Sequence, residues 1–270
     1  MIRRYDDRVA VITGAASGLG RALAFELAAR GCHLALIDID AAGLSSLTGE
    51  LVRPGLRVTG HPADIGSWPA LQRAAEEIGR AHQNVQLVIN NAGVSASASF
   101  SNMSESAFER IIGVNFFGVV HGCRAFLPLL QAQGAGQILN VASCFAWLGY
   151  PGKTAYAASK GAVRAFSESL RMELAGSGVG VTLLYPGPIH TGIVRNGFSD
   201  SDRRREREDL FLKSRGLPLD RVARRSLDQL VTNPASIVIG LDYRLLDWLA
   251  RLSRSLASWA VATAAKRAGF

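Results

Sequence analysis

Tyr156 and Lys160 lie four residues apart in a stretch of helical period, so their side chains share one face. An ammonium beside a phenol favours the phenolate and lowers the phenol pKa from about 10, which suits such a pair to exchange protons near neutral pH. Ser143 stands thirteen residues upstream at the end of a strand pattern, where its hydroxyl can hold a substrate oxygen beside the same phenol. Taken alone, Tyr and Lys at this spacing are a frequent accident of a solvated helix face. Joined to Ser143 and Asn115, they point to proton transfer at an alcohol or carbonyl. Cys144 neighbours Ser143 without a histidine partner evident in sequence, which argues against thiol chemistry.

A second constellation suits a dinucleotide. Thr13-Gly14-Ala15-Ala16-Ser17-Gly18-Leu19-Gly20 joins a strand pattern to a helical one. There Gly14 permits a tight turn, Gly18 a close approach of backbone to a pyrophosphate and Gly20 close helix packing, with free N–H groups at the helix start. Asp38 ends the next strand 18 residues after Gly20, near the spacing at which a carboxylate meets the adenosine ribose hydroxyls. That carboxylate repels a 2′-phosphate and neighbouring Ile39 offers no cation, so NAD is expected over NADP. The competing reading makes Asp38 the cap of a helix starting near Ala41.

These residues must be positioned by strands alternating with helices. Apolar runs recur at Val9–Thr13, His33–Asp38, Arg57–His61, Val85–Asn90, Gln137–Ala142, Val179–Tyr185 and Ser236–Gly240. Helical period marks Leu19–Arg30, Trp68–Ala81, Glu105–Gln133 and Ala155–Ala175. The alternation implies βαβ units and a doubly wound parallel sheet with helices on both faces, in one α/β domain over residues 1–243. The irregular stretch 187–217 is long for a connection and reads as a lid over the substrate.

The ordered set TGAASGLG, Asp64, NNAG from Asn90 to Gly93, Asn115 in VNFFG, Ser143 in NVAS, YAASK and PGPIHT from Pro186 resembles the short-chain dehydrogenase/reductase family over residues 8–193. The resemblance implies a single-domain Rossmann fold with a seven-stranded sheet, and dimers or tetramers built through helices 105–133 and 155–175. It makes Tyr156 the general acid/base and gives Ser143 the orientation of the carbonyl or alcohol. It places Lys160 also on the nicotinamide ribose and gives Asn115 a water-linked proton relay. It assigns Asp64 and Ile65 to the adenine, and Ile189 and Thr191, with Pro186 and Gly187, to the nicotinamide end. Asn91, Ala92 and Gly93 become cofactor-loop residues, although Asn and Gly also serve as turn formers. Thr191 also suits the cap of a short helix.

Between Ser143 and Tyr156, Phe145, Trp147 and Tyr150 crowd the expected opening, and His190 approaches it. Such a rim suits a hydrophobic ketone or secondary alcohol, although aromatic residues also pack simply against neighbours and a lone histidine is often structural. With 48% hydrophobic and 19% charged residues the chain is globular, and its three scattered cysteines support neither a disulfide framework nor a metal site. No run of about 18 uncharged apolar residues appears, and a reducing, cytoplasmic setting is expected. The net charge is +8, with a net four of those charges in the segment 244–270. That segment reads as a basic amphipathic helix with Leu245, Trp248, Leu249, Leu252, Leu256 and Trp259 on one stripe. It covers the pocket or a subunit interface, or makes a peripheral membrane contact. No nucleic-acid module is recognisable.

The expectation is an NAD-dependent oxidoreductase that interconverts a secondary alcohol and a ketone on a hydrophobic small molecule. Alternatives are an epimerase or dehydratase that returns its hydride, and a non-catalytic dinucleotide-binding scaffold acting through the basic tail.

Overall fold

Runs rich in Val, Ile and Leu form β1 (Val9–Thr13), β2 (His33–Asp38), β3 (Val58–Pro62) and β4 (Leu87–Asn90). After the two-residue β5 (Ala96–Ser97) come β6 (Gly136–Val141), β7 (Val179–Pro186), the short β8 (Phe198–Ser199) and β9 (Ser236–Ile239). The seven longer strands make one parallel sheet in the order β3-β2-β1-β4-β6-β7-β9, and β5 pairs with β8 apart from it. In this computed structural model, residues 4–194 and 197–267 are described.

Helices cover both faces, as parallel strands require. They are α1 (Gly18–Ala29), α2 (Ala41–Leu51), α3 (Trp68–Ala81), α4 (Glu105–Ile112), α5 (Gly118–Ala132) and α6 (Thr154–Glu173). After them come α7 (Asp202–Arg215), α8 (Leu219–Leu230), α9 (Leu241–Leu252) and α10 (Arg254–Arg267). Alternate strand residues feed two cores. Ile12, Leu34 and Leu36 pack with Leu23 and Leu27 of α1 and Leu227 of α8. Val11, Val88 and Ile138 pack with Leu71 of α3, Phe126 of α5 and Val163 of α6.

Three expectations are corrected. The helix expected over 105–133 is interrupted by a π-helical turn, Gly113–Phe117, which carries the buried Asn115. Widening one turn turns that amide onto the backbone of Val94, a use typical of π turns at functional sites. The stretch 187–217 is not irregular throughout, because α7 occupies its second half. That helix has no buried stripe to give it an apolar period; Ser201 caps it, and charge pairs such as Lys213–Asp209 line it. The tail forms two helices because Ser253 adopts an extended backbone and its Oγ accepts from Leu256 N, starting α10 afresh.

Candidate active site

The chain builds the sheet outward from β1 to β3 and returns to place β4 on the other side of β1, which leaves a crevice at the carboxyl ends of the strands. The loops after β1, β4, β6 and β7 open there into one cavity of about 910 Å³. Its first wall is the glycine loop. Gly14 has φ +66, and a Cβ on it would stand 2.7 Å from Ala92 Cα. A Cβ on Gly20 would stand 2.0 Å from the Gly14 carbonyl oxygen. Neither position admits a side chain without displacing backbone.

Two side chains lock this loop to the exit of β4. Thr13 Oγ1 accepts from the backbone N–H groups of Asn91 and Ala92 at 3.0 and 3.1 Å. Asn91 Nδ2 donates to the carbonyl oxygens of Thr13 and Gly14 at 2.9 and 3.2 Å. Asn91 thus spends its amide on positioning the loop. Ser17, Gly18 and Leu19 line the cavity at the start of α1, where the hydroxyl of Ser17 makes no capping bond. This end suits a phosphate, since the first-turn N–H groups lack intrahelical partners.

Asp38 and Ile39 line the same end. Asp38 Oδ2 accepts from Ala16 N at 2.9 Å and Oδ1 from Asp40 N at 3.0 Å. The cap of α2 is Asp40, whose Oδ1 accepts from Gly43 N, so the capping reading of Asp38 is set aside. Asp64, whose Oδ1 accepts from Gly66 N, and the buried Ile65 follow β3 into the cavity. Ala92, Gly93, Pro186, Gly187, Ile189 and Thr191 line its middle. Thr191 Oγ1 accepts from Ile193 N at 3.4 Å, which also makes it a cap for the single turn Gly192–Val194.

The four residues singled out for chemistry converge between β6 and α6. Ser143 follows β6, where its Oγ accepts from Phe145 N at 3.4 Å and its hydroxyl acts to lower the phenol pKa of Tyr156 from α6. Lys160, one turn further along α6, is buried; its Nζ donates to Val141 O at 2.8 Å and lies 6.0 Å from the Tyr156 ring centre. Asn115 does not line the cavity directly. Its Oδ1 accepts from Val94 N at 2.8 Å, and its Nδ2 donates to Val94 O and Ser159 Oγ at 3.0 and 3.1 Å, which fixes α6 against the loop after β4.

The electrostatics depart from the expectation that Lys160 lowers the phenol. The Tyr156 ring keeps some surface open, yet burial is the largest influence and pushes its pKa well above the ordinary value, against the lowering effect of the Ser143 hydrogen bond. The same burial pulls Lys160 down to about 8. Burial also pushes the Cys144 thiol up to about 11, which removes it as a thiolate nucleophile at neutral pH.

Phe145 and Tyr150 form an aromatic wall, with Phe145 ring centres 6.0 Å from Tyr156 and 5.5 Å from Tyr150. Two expected rim residues are corrected. Trp147 turns to the sheet and packs on Tyr185 with ring centres 4.5 Å apart, where its apolar surface is better covered. His190 is exposed and lies outside the cavity. The wall is also less apolar than the sequence implies, because Lys153, Arg207 and Glu208 line it. Tyr243, at the start of α9, closes one side. Lys153 and Glu208 meet only through the tertiary fold, and no local pattern marks either one. Among the described residues, no group of three His, Cys, Asp or Glu side chains is placed to hold a metal ion.

The family model for short chain dehydrogenases matches residues 8–202. SadH of Mycobacterium tuberculosis is 36% identical over 255 residues, covering 93% of this chain and 92% of its own. The 2-(R)-hydroxypropyl-CoM dehydrogenase of Xanthobacter autotrophicus is 35% identical over 68% of this chain and 76% of its own. A short chain dehydrogenase/reductase from Burkholderia phymatum, solved in complex with NAD, superposes with a TM-score of 0.83 at 32% identity, covering 93% and 96% of the two chains. The chain therefore belongs to the short-chain dehydrogenase/reductase family of oxidoreductases.

Proposed function

We propose that this protein is an NAD-dependent oxidoreductase that interconverts a secondary alcohol and a ketone on a hydrophobic small molecule, with Tyr156 as general acid/base. The observation that carries the reading is the meeting of Ser143, Tyr156 and Lys160 in the same cavity as the glycine loop. The nicotinamide cofactor, when bound, supplies the hydride acceptor or donor. Ser17, Gly18 and the start of α1 would hold its pyrophosphate, Asp38 its adenosine ribose and Lys160 its nicotinamide ribose. The carboxylate of Asp38 beside Ile39 favours NAD, the ligand of the Burkholderia phymatum relative. The substrate named in the Xanthobacter autotrophicus relative, itself a secondary alcohol, is compatible with this chemistry.

In oxidation, Tyr156 as phenolate takes the proton of the substrate hydroxyl while a hydride leaves the carbinol carbon. In reduction, the phenol returns that proton to the ketone oxygen. Ser143 holds the substrate oxygen within reach of Tyr156, and the Lys160 ammonium favours the phenolate when it forms. Asn115 acts as a positioning residue, through Val94 and Ser159.

The test is titration with NADH and NADPH by fluorescence, followed by a scan of hydrophobic secondary alcohols and ketones at 340 nm. Tighter NADH binding, with turnover that Tyr156→Phe abolishes, is expected. Preferred NADPH would overturn the cofactor choice, and turnover retained by Tyr156→Phe would overturn the catalytic one. Product formed without free NADH accumulating would instead assign internal hydride return, as in an epimerase.

The proposal extends to assembly and location. Members of this family generally form oligomers. Leu245, Trp248, Leu252, Leu256 and Trp259 are each 57–68% exposed along α9 and α10, so the stripe covers no pocket. We assign it to a second copy of the chain, in a homodimer or homotetramer. The three buried, unpaired cysteines fit a reducing cytoplasm.

A further inference from the structure

Two ammonium groups stand beside Tyr156. Lys160 Nζ and Lys153 Nζ are each 6.0 Å from its ring centre. Lys160 meets a backbone carbonyl, Val141 O, whereas Lys153, the residue before α6, makes a close charged contact with Glu208 Oε1 of α7 and donates to Ser95 Oγ at 3.3 Å. Lys153 is 5% exposed, and Glu208 keeps 14% of its side-chain surface. Charges so sheltered are weakly screened and act strongly on a neighbouring phenol. As a device for holding α7 in place the pair is poor, since apolar residues of similar volume often stabilise as well or better.

We infer that Lys153 and Glu208 are positioning residues that act through Tyr156: the ammonium favours the base that oxidises an alcohol, and the carboxylate brought by α7 favours the acid that reduces a ketone. The inference rests on the oxidoreductase reading of the cavity. The pair is net neutral, so each charge offsets the other at the phenol, and removing either one tips the balance. The equilibrium between alcohol and ketone is untouched; what moves is the pH range over which each direction runs. Beyond burial, the largest influence on both phenols, Glu208 raises Tyr156 and Tyr150 alike. The other titratable or charged groups around the pair and the phenol are Cys144 after β6, Tyr150, Lys160, Arg204 and Arg207 of α7, and Tyr243 of α9. Tyr156 also shares an apolar cluster with Phe108 and Ile111 of α4 and Val94 after β4, which bring no charge. Because Glu208 belongs to α7, the lid carries the charge that keeps the proton on the phenol.

The test uses the full-length wild type, Glu208→Gln and Lys153→Met, with Lys153→Met/Glu208→Gln as the balanced control. For each, the ultraviolet phenolate absorbance of Tyr156 is titrated to about pH 11, as the difference from the same protein carrying Tyr156→Phe. Oxidation of 1-phenylethanol by NAD+ is followed as kcat/KM over the same range. Glu208→Gln should bring both profiles to lower pH by about half a unit or more, so that oxidation on the rising limb runs about threefold or more faster at a given pH. Lys153→Met should displace them to higher pH, and the double variant should lie near the wild type. A merely structural role would move both single variants the same way. Coincident profiles, or shifts of one sign, would therefore overturn the inference, and the direction of either single variant carries the test if the other fails to fold. Opposed phenolate shifts without turnover of 1-phenylethanol would uphold the charge assignment and count against the oxidoreductase reading. Turnover with coincident profiles would do the reverse.

Discussion

Asp38 Oδ2 accepts a hydrogen bond from Ala16 N at 2.9 Å, tying the carboxylate that ends β2 to the glycine loop after β1. The conformation of the loop therefore depends on the same side chain that we propose sets cofactor choice. Asp38→Ala removes the acceptor for Ala16 N and, through Oδ1, for Asp40 N. Each orphaned donor costs about 1–3 kcal/mol where it is shielded from water. We expect NADH affinity to fall by about tenfold or more and the margin over NADPH to narrow, as read by fluorescence titration. NADH binding at wild-type strength in this variant would contradict the assignment.

The raised Tyr156 pKa sets the pH dependence. Burial raises it first, Cys144 and Glu208 add to the rise, and the Ser143 hydrogen bond opposes it. Below the phenol pKa, the fraction of phenolate grows with pH. Alcohol oxidation, which needs the base, should therefore gain in kcat/KM between about pH 7 and about pH 9, by at most about tenfold per unit. Ketone reduction, which needs the acid, should stay flat over the same range. An oxidation profile already level at neutral pH would show that the phenol is not raised in the working enzyme.

Lys160 gives a stability effect opposite in sign to its catalytic one. Its folded pKa, pulled down to about 8, lies below the unfolded value, so the folded chain binds this proton more weakly. The penalty is complete below about pH 8 and fades as pH rises toward about 10.4, at roughly 1.4 kcal/mol per pKa unit. Lys160→Met removes a cost on the order of 3 kcal/mol at neutral pH. It forfeits the bond to Val141 O, worth about 1 kcal/mol. Calorimetry should show Tm raised by a few degrees at neutral pH, with the gain shrinking by about pH 10, while turnover is lost. A lowered Tm would mean that the ammonium is well accommodated.

What the sequence makes legible follows from what is local. The strands β1 and β2 and the helix α3 lie where apolar spacing puts them, because each buries its pattern against neighbours close in the chain. Gly14 and Gly20 are legible by type and spacing, since few residues tolerate those backbone demands. The ion pair of Lys153 and Glu208, 55 residues apart, is invisible in sequence because only the return of α7 over the cavity creates it. Tyr156 shows the same limit for electrostatics: spacing reveals the neighbouring ammonium but not the burial that outweighs it.

The tail offers the last prediction. Five large apolar side chains, two of them tryptophans, stand more than half exposed on α9 and α10, while Tyr243 at the root of α9 faces the cavity. A patch of this kind marks a surface that is covered by something else. A second copy of the chain buries tryptophan and leucine without requiring the arginines to meet phosphate, whereas an anionic bilayer recruits both. Trp248→Glu/Trp259→Glu puts charges into the stripe and leaves Tyr243 in place. Light scattering after size exclusion should show this variant at a smaller mass than the wild type, and neither protein should float with phosphatidylserine-containing vesicles. Flotation of the wild type that the double variant loses, at unchanged mass, would assign the stripe to lipid instead.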